Sequence, residues 1–194
     1  MSDALIGAGQ DADRNFGTSP VGAPAQTCPL KSDSGGAKPG GGGSFEEHKA
    51  EAIKKIKDSD FGKTDEGKKV IKKIDDLDKD GKIVSKSLAK NVRGAWSGGE
   101  IQVGETFSND SDAVASELVH EATHAVNEDD FPESKKKLTI DEEMRTNTNQ
   151  LDFYEEQRKT GYRDPELEKR RDDRAAGKLR ENVQKRYPGA PEHL

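Results

Sequence analysis

A single cysteine, Cys28, among 194 residues excludes an internal disulfide. Stability must therefore come from packing, a bound metal, or both. Aromatic residues make up only 5% and hydrophobic residues 29%, so the chain supports at most one modest domain with a thin apolar core. No run approaches the roughly 18 consecutive apolar residues that cross a bilayer, so no membrane span is expected. The opening Met1–Ile6 lacks the charged-then-apolar layout of a secretory signal peptide. Synthesis in the cytoplasm is expected, with any export by another route. An excess of one charge is also missing: 32 Lys and Arg stand against 38 Asp and Glu, for a net charge of −6. The signs are interleaved, which argues against nucleic acid or an anionic membrane as the main partner.

Residues 1–43 are rich in Gly, Pro, Ala and Ser and finish in a glycine run. They have almost nothing to bury and read as a disordered segment, a tether or an address, ahead of one domain over 44–194. That domain opens with Ser44 and Glu47 spaced as a capping box before Phe45, Ala52, Ile53 and Ile56 at helical spacing. Thr64 caps a second helix with Val70, Ile71, Ile74 and Leu77 on one stripe and lysines opposite. Short β-prone pieces follow at Ile83–Val84, Val92–Trp96 and Glu100–Val103, with a turn at Ser97–Gly99 and Trp96 as the anchor of a small antiparallel sheet or hairpin. Cap residues at Ser108–Ser111 introduce an amphipathic helix carrying Val114, Leu118, Val119, Ala122, Ala125 and Val126. Another helix runs from Thr139 to about Lys159. A last one starts at Asp164-Pro165, with Leu167, Ala176, Leu179, Val183 and Tyr187 inward. The expected fold class is α+β, mainly helical.

The amphipathic helix contains His120-Glu121-Ala122-Thr123-His124. Residues four apart stack one turn above each other, so both imidazoles can grip one Zn²⁺. Glu121, one residue round, stands beside the ion as a proton acceptor and donor. Catalytic zinc usually takes three protein ligands, and Asp141, Glu142 and Glu143 open the next helix. Thr139 and Glu142 are spaced as a capping box, which directs Glu142 to the backbone. Glu143 shares a face with Ile140, Asn147, Leu151 and Tyr154 and is the expected third ligand, with Glu142 and Asp141 in reserve. Asn147 is placed to hold a liganding histidine through its second ring nitrogen. Tyr154 and Tyr162 are candidates for steadying an oxyanion, though ordinary packing is the better reading of each. His48 and His193 lie near the domain's edges and read as solvated.

The stretch Leu118–Val126 with a later helical glutamate resembles the gluzincin type of zinc metallopeptidase, over about residues 100–155. The resemblance implies a zincin-like domain that hydrolyses peptide bonds, with a protein or peptide substrate bound as an added strand against Glu100–Val103. The family's E-x-x-x-D becomes Glu143-x-x-x-Asn147 here. A small domain of this kind behind a Gly/Pro-rich leader also resembles metallopeptidase effector toxins of contact-dependent bacterial systems such as type VI secretion, which implies a target cell, an immunity protein and a secretion carrier. A different class is a non-catalytic binding or adaptor module that zinc staples together; a structural site has no need of Glu121.

Two weaker signals remain. Asp76-Leu77-Asp78-Lys79-Asp80-Gly81-Lys82-Ile83 follows the first eight places of a Ca²⁺-binding EF-hand loop, but Ser87 stands where a bidentate glutamate should close it. An acidic turn from helix to strand is the better reading. The run Glu166–Arg174 reads as an exposed helical face with i, i+4 ion pairs.

Overall fold

The computed structural model describes residues 26–29, 42–90, 92–132 and 138–193. Most of the segment 1–43 lies outside them. Its described part includes a four-residue strand, β1 (Gln26–Pro29), where the composition suggested only a disordered stretch. The domain proper begins with α1 (Phe45–Asp58), a single turn α2 (Asp60–Lys63) and α3 (Asp65–Lys79). Strands β2 (Ile83–Lys86), β3 (Val92–Ser97) and β4 (Glu100–Gly104) follow, then helices α4 (Ser111–Asp130), α5 (Ile140–Lys159), α6 (Pro165–Ala175) and α7 (Leu179–Arg186). The architecture is α+β and mainly helical. Among the described residues, no helix is long and apolar enough to cross a membrane.

Local chemistry sets the helix starts. Ser44 and Glu47 form the full capping box, Thr64 accepts from Gly67 N, and Asp110 and Asp164 cap α4 and α6, the latter with Pro165 in the first turn. Each such cap stabilises its helix by about 1 kcal/mol. The last helix foreseen from the sequence is two. Gly177 takes a positive φ of 70°, and its N–H bonds to Arg174 O while Lys178 N reaches back to Asp173 O. That is a Schellman ending, and it leaves Ala176 exposed.

The sheet is mixed, not antiparallel. Its strand order is β1-β3-β4-β2, with β3 and β4 joined as a hairpin and β2 parallel to β4. Gly98 and Gly99 both take positive φ, 63° and 80°, which a tight two-residue hairpin turn demands. The strand order encloses β4 between β3 and β2. Glu100–Val103, the stretch the resemblance assigned to substrate pairing, therefore has no open edge.

One large apolar core gathers α1, α2, α3, α4 and the sheet, including Ile56, Ile74, Ile101, Leu118 and Trp96. A second, smaller core of Leu151, Tyr154, Leu167 and Leu179 lies beneath α5, α6 and α7. Helix α4 runs between other elements and is not amphipathic: 16 of its 20 residues are buried, polar ones included. Its neighbour across the polar side is α5. The first N–H groups of α5 are satisfied by carbonyls from far along the chain, Ile140 N by Pro191 O and Asp141 N by Glu192 O.

Gly67, in the first turn of α3, tests how tightly α2 is wedged in. An alanine there ordinarily stabilises a helix by about 1 kcal/mol. Here a Cβ would fall 2.0 Å from Phe61 O, a backbone atom that cannot swing aside. Gly67→Ala is expected to destabilise the protein by at least about 1 kcal/mol, read as a lower urea midpoint at unchanged m-value.

Candidate metal centre

Burying a histidine or a carboxylate without a partner costs several kcal/mol or neutralises it. Helix α4 buries four such groups in a row: Glu117, His120, Glu121 and His124 are each 0–3% exposed. The partners of the two histidines come from α5, whose acids and amides at 142, 143 and 150 face them.

Each imidazole is oriented by one of these groups. Gln150 Nε2 donates to Ser116 O and its Oε1 accepts from Arg170, which fixes the amide's orientation. That Oε1 lies 3.2 Å from His120 Nδ1, so Nδ1 must carry the proton and Nε2 presents its lone pair. Burial, then the neighbouring His124, holds His120 well below the usual histidine range, which keeps the ring neutral. His124 Nδ1 lies 2.9 Å from Glu142 Oε1. Its other nitrogen, Nε2, faces Glu143 Oε1 at 3.4 Å. Asn147 Nδ2 donates to Glu143 Oε2 at 3.2 Å and to Glu143 O at 2.7 Å, and its Oδ1 accepts from Arg170. Glu143 is thus held at its far oxygen and its backbone.

His120, His124 and Glu143 are the one group of potential metal ligands found among the described residues, with one donor atom from each lying within 4.8 Å of the others. Two ligands at about 2.0–2.1 Å from a tetrahedral ion stand about 3.4 Å apart, the separation of His124 Nε2 and Glu143 Oε1. Two imidazole nitrogens and a carboxylate are a donor set suited to zinc. The residues present therefore fit the ion.

Several expectations about this region change. Thr139 does accept from Glu142 N at 3.1 Å, but the return arm of the capping box is not formed. The Glu142 carboxylate turns to His124 instead, because a buried charge-assisted bond is worth more than an N-terminal one. Asn147 orients Glu143 and not a histidine; Glu142 and Gln150 do that work. Asp141 points away, to Arg180 and His193 at the surface, and is no ligand. His193 is exposed and His48 half-buried. Tyr154 is buried in the second core, its hydroxyl accepting from Asp164 N and bonded to Glu168. Tyr162 stacks edge-on against it at 6.1 Å. Both are packing residues. The acidic turn at Asp76–Asp80 spends its carboxylates on Lys72, Lys49 and Lys82 and forms no metal cluster with its neighbours. Within Glu166–Arg174 the i, i+4 pairs form, yet Arg170 is 5% exposed and reaches the site.

Glu121 differs from its neighbours in having no side-chain hydrogen-bond partner. Both carboxylate oxygens are buried, with the backbone N–H of Trp96 the one hydrogen-bonding group that favours the charged form. Burial pushes this carboxyl up to about 8, against the pull of His124. It lies under β3 at Gly94, where a Cβ would come within 3.0 Å of Glu121 Oε1 and 3.2 Å of Glu117 Oε2. Only glycine lets the strand approach so closely.

Sequence reasoning missed Gln150, Arg93, Glu117 and Gly94. Gln150 and Glu117 had a signal, since 143, 147 and 150 share a helical face and 117 lies one turn from 120 and 121; Arg93 and Gly94 had none, because their contacts with α4 depend on strand placement. Arg93, 3% exposed, lies 2.9 Å from Glu117 and 2.5 Å from Asp164, with Phe107 4.6 Å across its guanidinium. Burial would lower the Arg93 guanidinium, but these carboxylates outweigh it and raise it. Burial likewise raises Glu117, opposed by Arg93. A cleft of about 470 Å³ opens beside this cluster, lined by Arg93, Phe107, Asn147, Asp164, Arg170 and Arg186 among others.

No known protein family, no curated protein and no solved structure matches the chain.

Removing Arg93 leaves two buried carboxylates without their cation. Arg93→Met is expected to cost about 3–5 kcal/mol in urea unfolding. Because Glu117 is raised in the fold, stability linked to it is present at low pH and falls as pH rises through its folded value. The loss should accordingly be smaller at pH 5 than at pH 8.

Proposed function

We propose that the chain is a zinc-dependent hydrolase of peptide or amide bonds. The observation that supports this best is the pairing of three converging donors, His120, His124 and Glu143, with a buried carboxylate, Glu121, that no other side chain hydrogen-bonds. The zinc that these three would hold supplies polarisation of a carbonyl and acidification of water. The remaining work falls to the chain's own residues. Glu142 and Gln150 fix the tautomers of the two imidazoles, so that each offers a lone pair and not a proton. Asn147 keeps the second oxygen of Glu143 occupied. Glu121 takes a proton from the attacking water and returns it to the leaving nitrogen, a role that suits a carboxyl whose affinity for protons burial has increased. Gly94 admits the strand next to this carboxylate, which brings backbone within reach of it.

The alternative of a zinc-stapled, non-catalytic module fits less well. A purely structural site gains nothing from burying beside it a glutamate that no side chain pairs, and that burial is costly.

Glu121→Gln keeps the shape and removes the base. It is expected to bind one Zn²⁺ per chain by elemental analysis while hydrolysis of a proteome-derived peptide library falls about 10²–10⁴-fold; unchanged cleavage would remove Glu121 from the mechanism. Glu142→Ala is expected to weaken Zn²⁺ affinity about 10–100-fold through the loosened His124, and Glu143→Ala to weaken it further. Competition with a chelating dye measures both.

A further inference from the structure

We propose that residues 26–29 are an internal competitor for the edge of β3, the edge on which an extended peptide would dock to reach the site. The inference rests on the reading of the site as one that takes peptides. It begins with strand order. Among the described strands, β3 carries Gly94 over the Glu121 carboxylate, and one of its edges is taken by β4. A polypeptide laid along the other edge would pass about 4.8 Å from β3, with its backbone alongside the candidate site.

That edge is already filled. Gln26 stands opposite Trp96, Thr27 opposite Ala95 and Pro29 opposite Val92, antiparallel, with the register slipping between Thr27 and Pro29. The slip falls across from Arg93 and Gly94, the residues that touch Glu117 and Glu121. The pairing is short. Pro29 has no N–H to give to a ladder, and a four-residue strand gains little from backbone pairing alone. It is the outermost strand of the sheet, bonded to β3 alone.

The burial of the site points the same way. His120, Glu121, His124 and Glu143 are each 0–3% exposed, so a substrate has to displace something to reach them. Of the elements flanking Gly94, β4 is a central strand and α4 the central helix; β1 is the outermost strand, and its removal breaks no other strand pairing. It is joined to α1 by 15 intervening residues, 30–44. A strand tethered in the same chain competes at an effective concentration on the order of millimolar, enough to exclude weakly held peptides and to yield to well-matched ones.

The test uses the full chain with Gln26→Pro and Thr27→Pro together, which removes two of the strand's three N–H donors and leaves only that of Cys28. A fluorescein-labelled peptide of sequence Pro-Ala-Gln-Thr-Cys-Pro-Leu, identical to residues 24–30, is titrated under reducing conditions and followed by anisotropy. The peptide is expected to bind the double variant about tenfold or more tightly than the unaltered chain. Amides of Val92–Ser97 that do not face β4 should lose hydrogen-exchange protection, while α4 and α5 keep theirs as the control for folding. Equal peptide binding by the two proteins, or unchanged exchange along β3, would overturn the proposal. Binding and exchange are read whether or not any peptide is cut, so a failure of the hydrolase reading is seen separately, in the cleavage assay.

Discussion

A helix without a wet side has to find a partner inside the protein for every polar group it carries. Helix α4 is in that position, and it carries two histidines and two glutamates within eight residues. The rest of the arrangement answers that demand. Helix α5 lies against α4 with amides and acids at the matching heights, Arg170 arrives from α6 to hold those amides, and Arg93 arrives from β3 to balance Glu117. Glu121 alone receives no answer from another side chain. In a low-dielectric interior that omission is costly, and such costs collect where a protein does chemistry.

The two apolar cores explain how polar residues can be held so firmly. The site lies where α4, anchored in the larger core, meets α5, whose other face packs on the smaller one. Neither helix can rotate without disturbing its own core, since tightly packed interiors shift in discrete steps and not continuously. The imidazoles are therefore fixed twice over, by hydrogen bonds at one ring nitrogen and by the packing of the helix that bears them.

Much of this was legible in the residues. Ser44, Thr64, Thr139 and Asp164 marked helix starts because capping is local chemistry, and the spacing of His120, His124 and Glu143 placed them on faces that meet. What spacing could not convey was how elements turn toward each other. Glu142 had two claims on it, a backbone N–H three residues back and an imidazole on another helix, and only the tertiary arrangement shows that the second prevailed. The order of the strands was equally hidden. Nothing in Ile83–Lys86 announces that it will run parallel to β4 and close off its edge, because that follows from the path of the chain between strands. Helix α4 looked amphipathic since its apolar residues do form a stripe; its other side turned out to be lined by protein instead of water.

The carbonyls of Pro191 and Glu192 bind the first N–H groups of α5, one turn of helix away from Glu142 and Glu143. The acids at the centre are thus seated by a stretch of chain some fifty positions downstream. As the polypeptide emerges from the ribosome, every other described element is made before that seat is in place. The contacts that seat the start of α5, and with it Glu142 and Glu143, are thus completed only after α7 has been made.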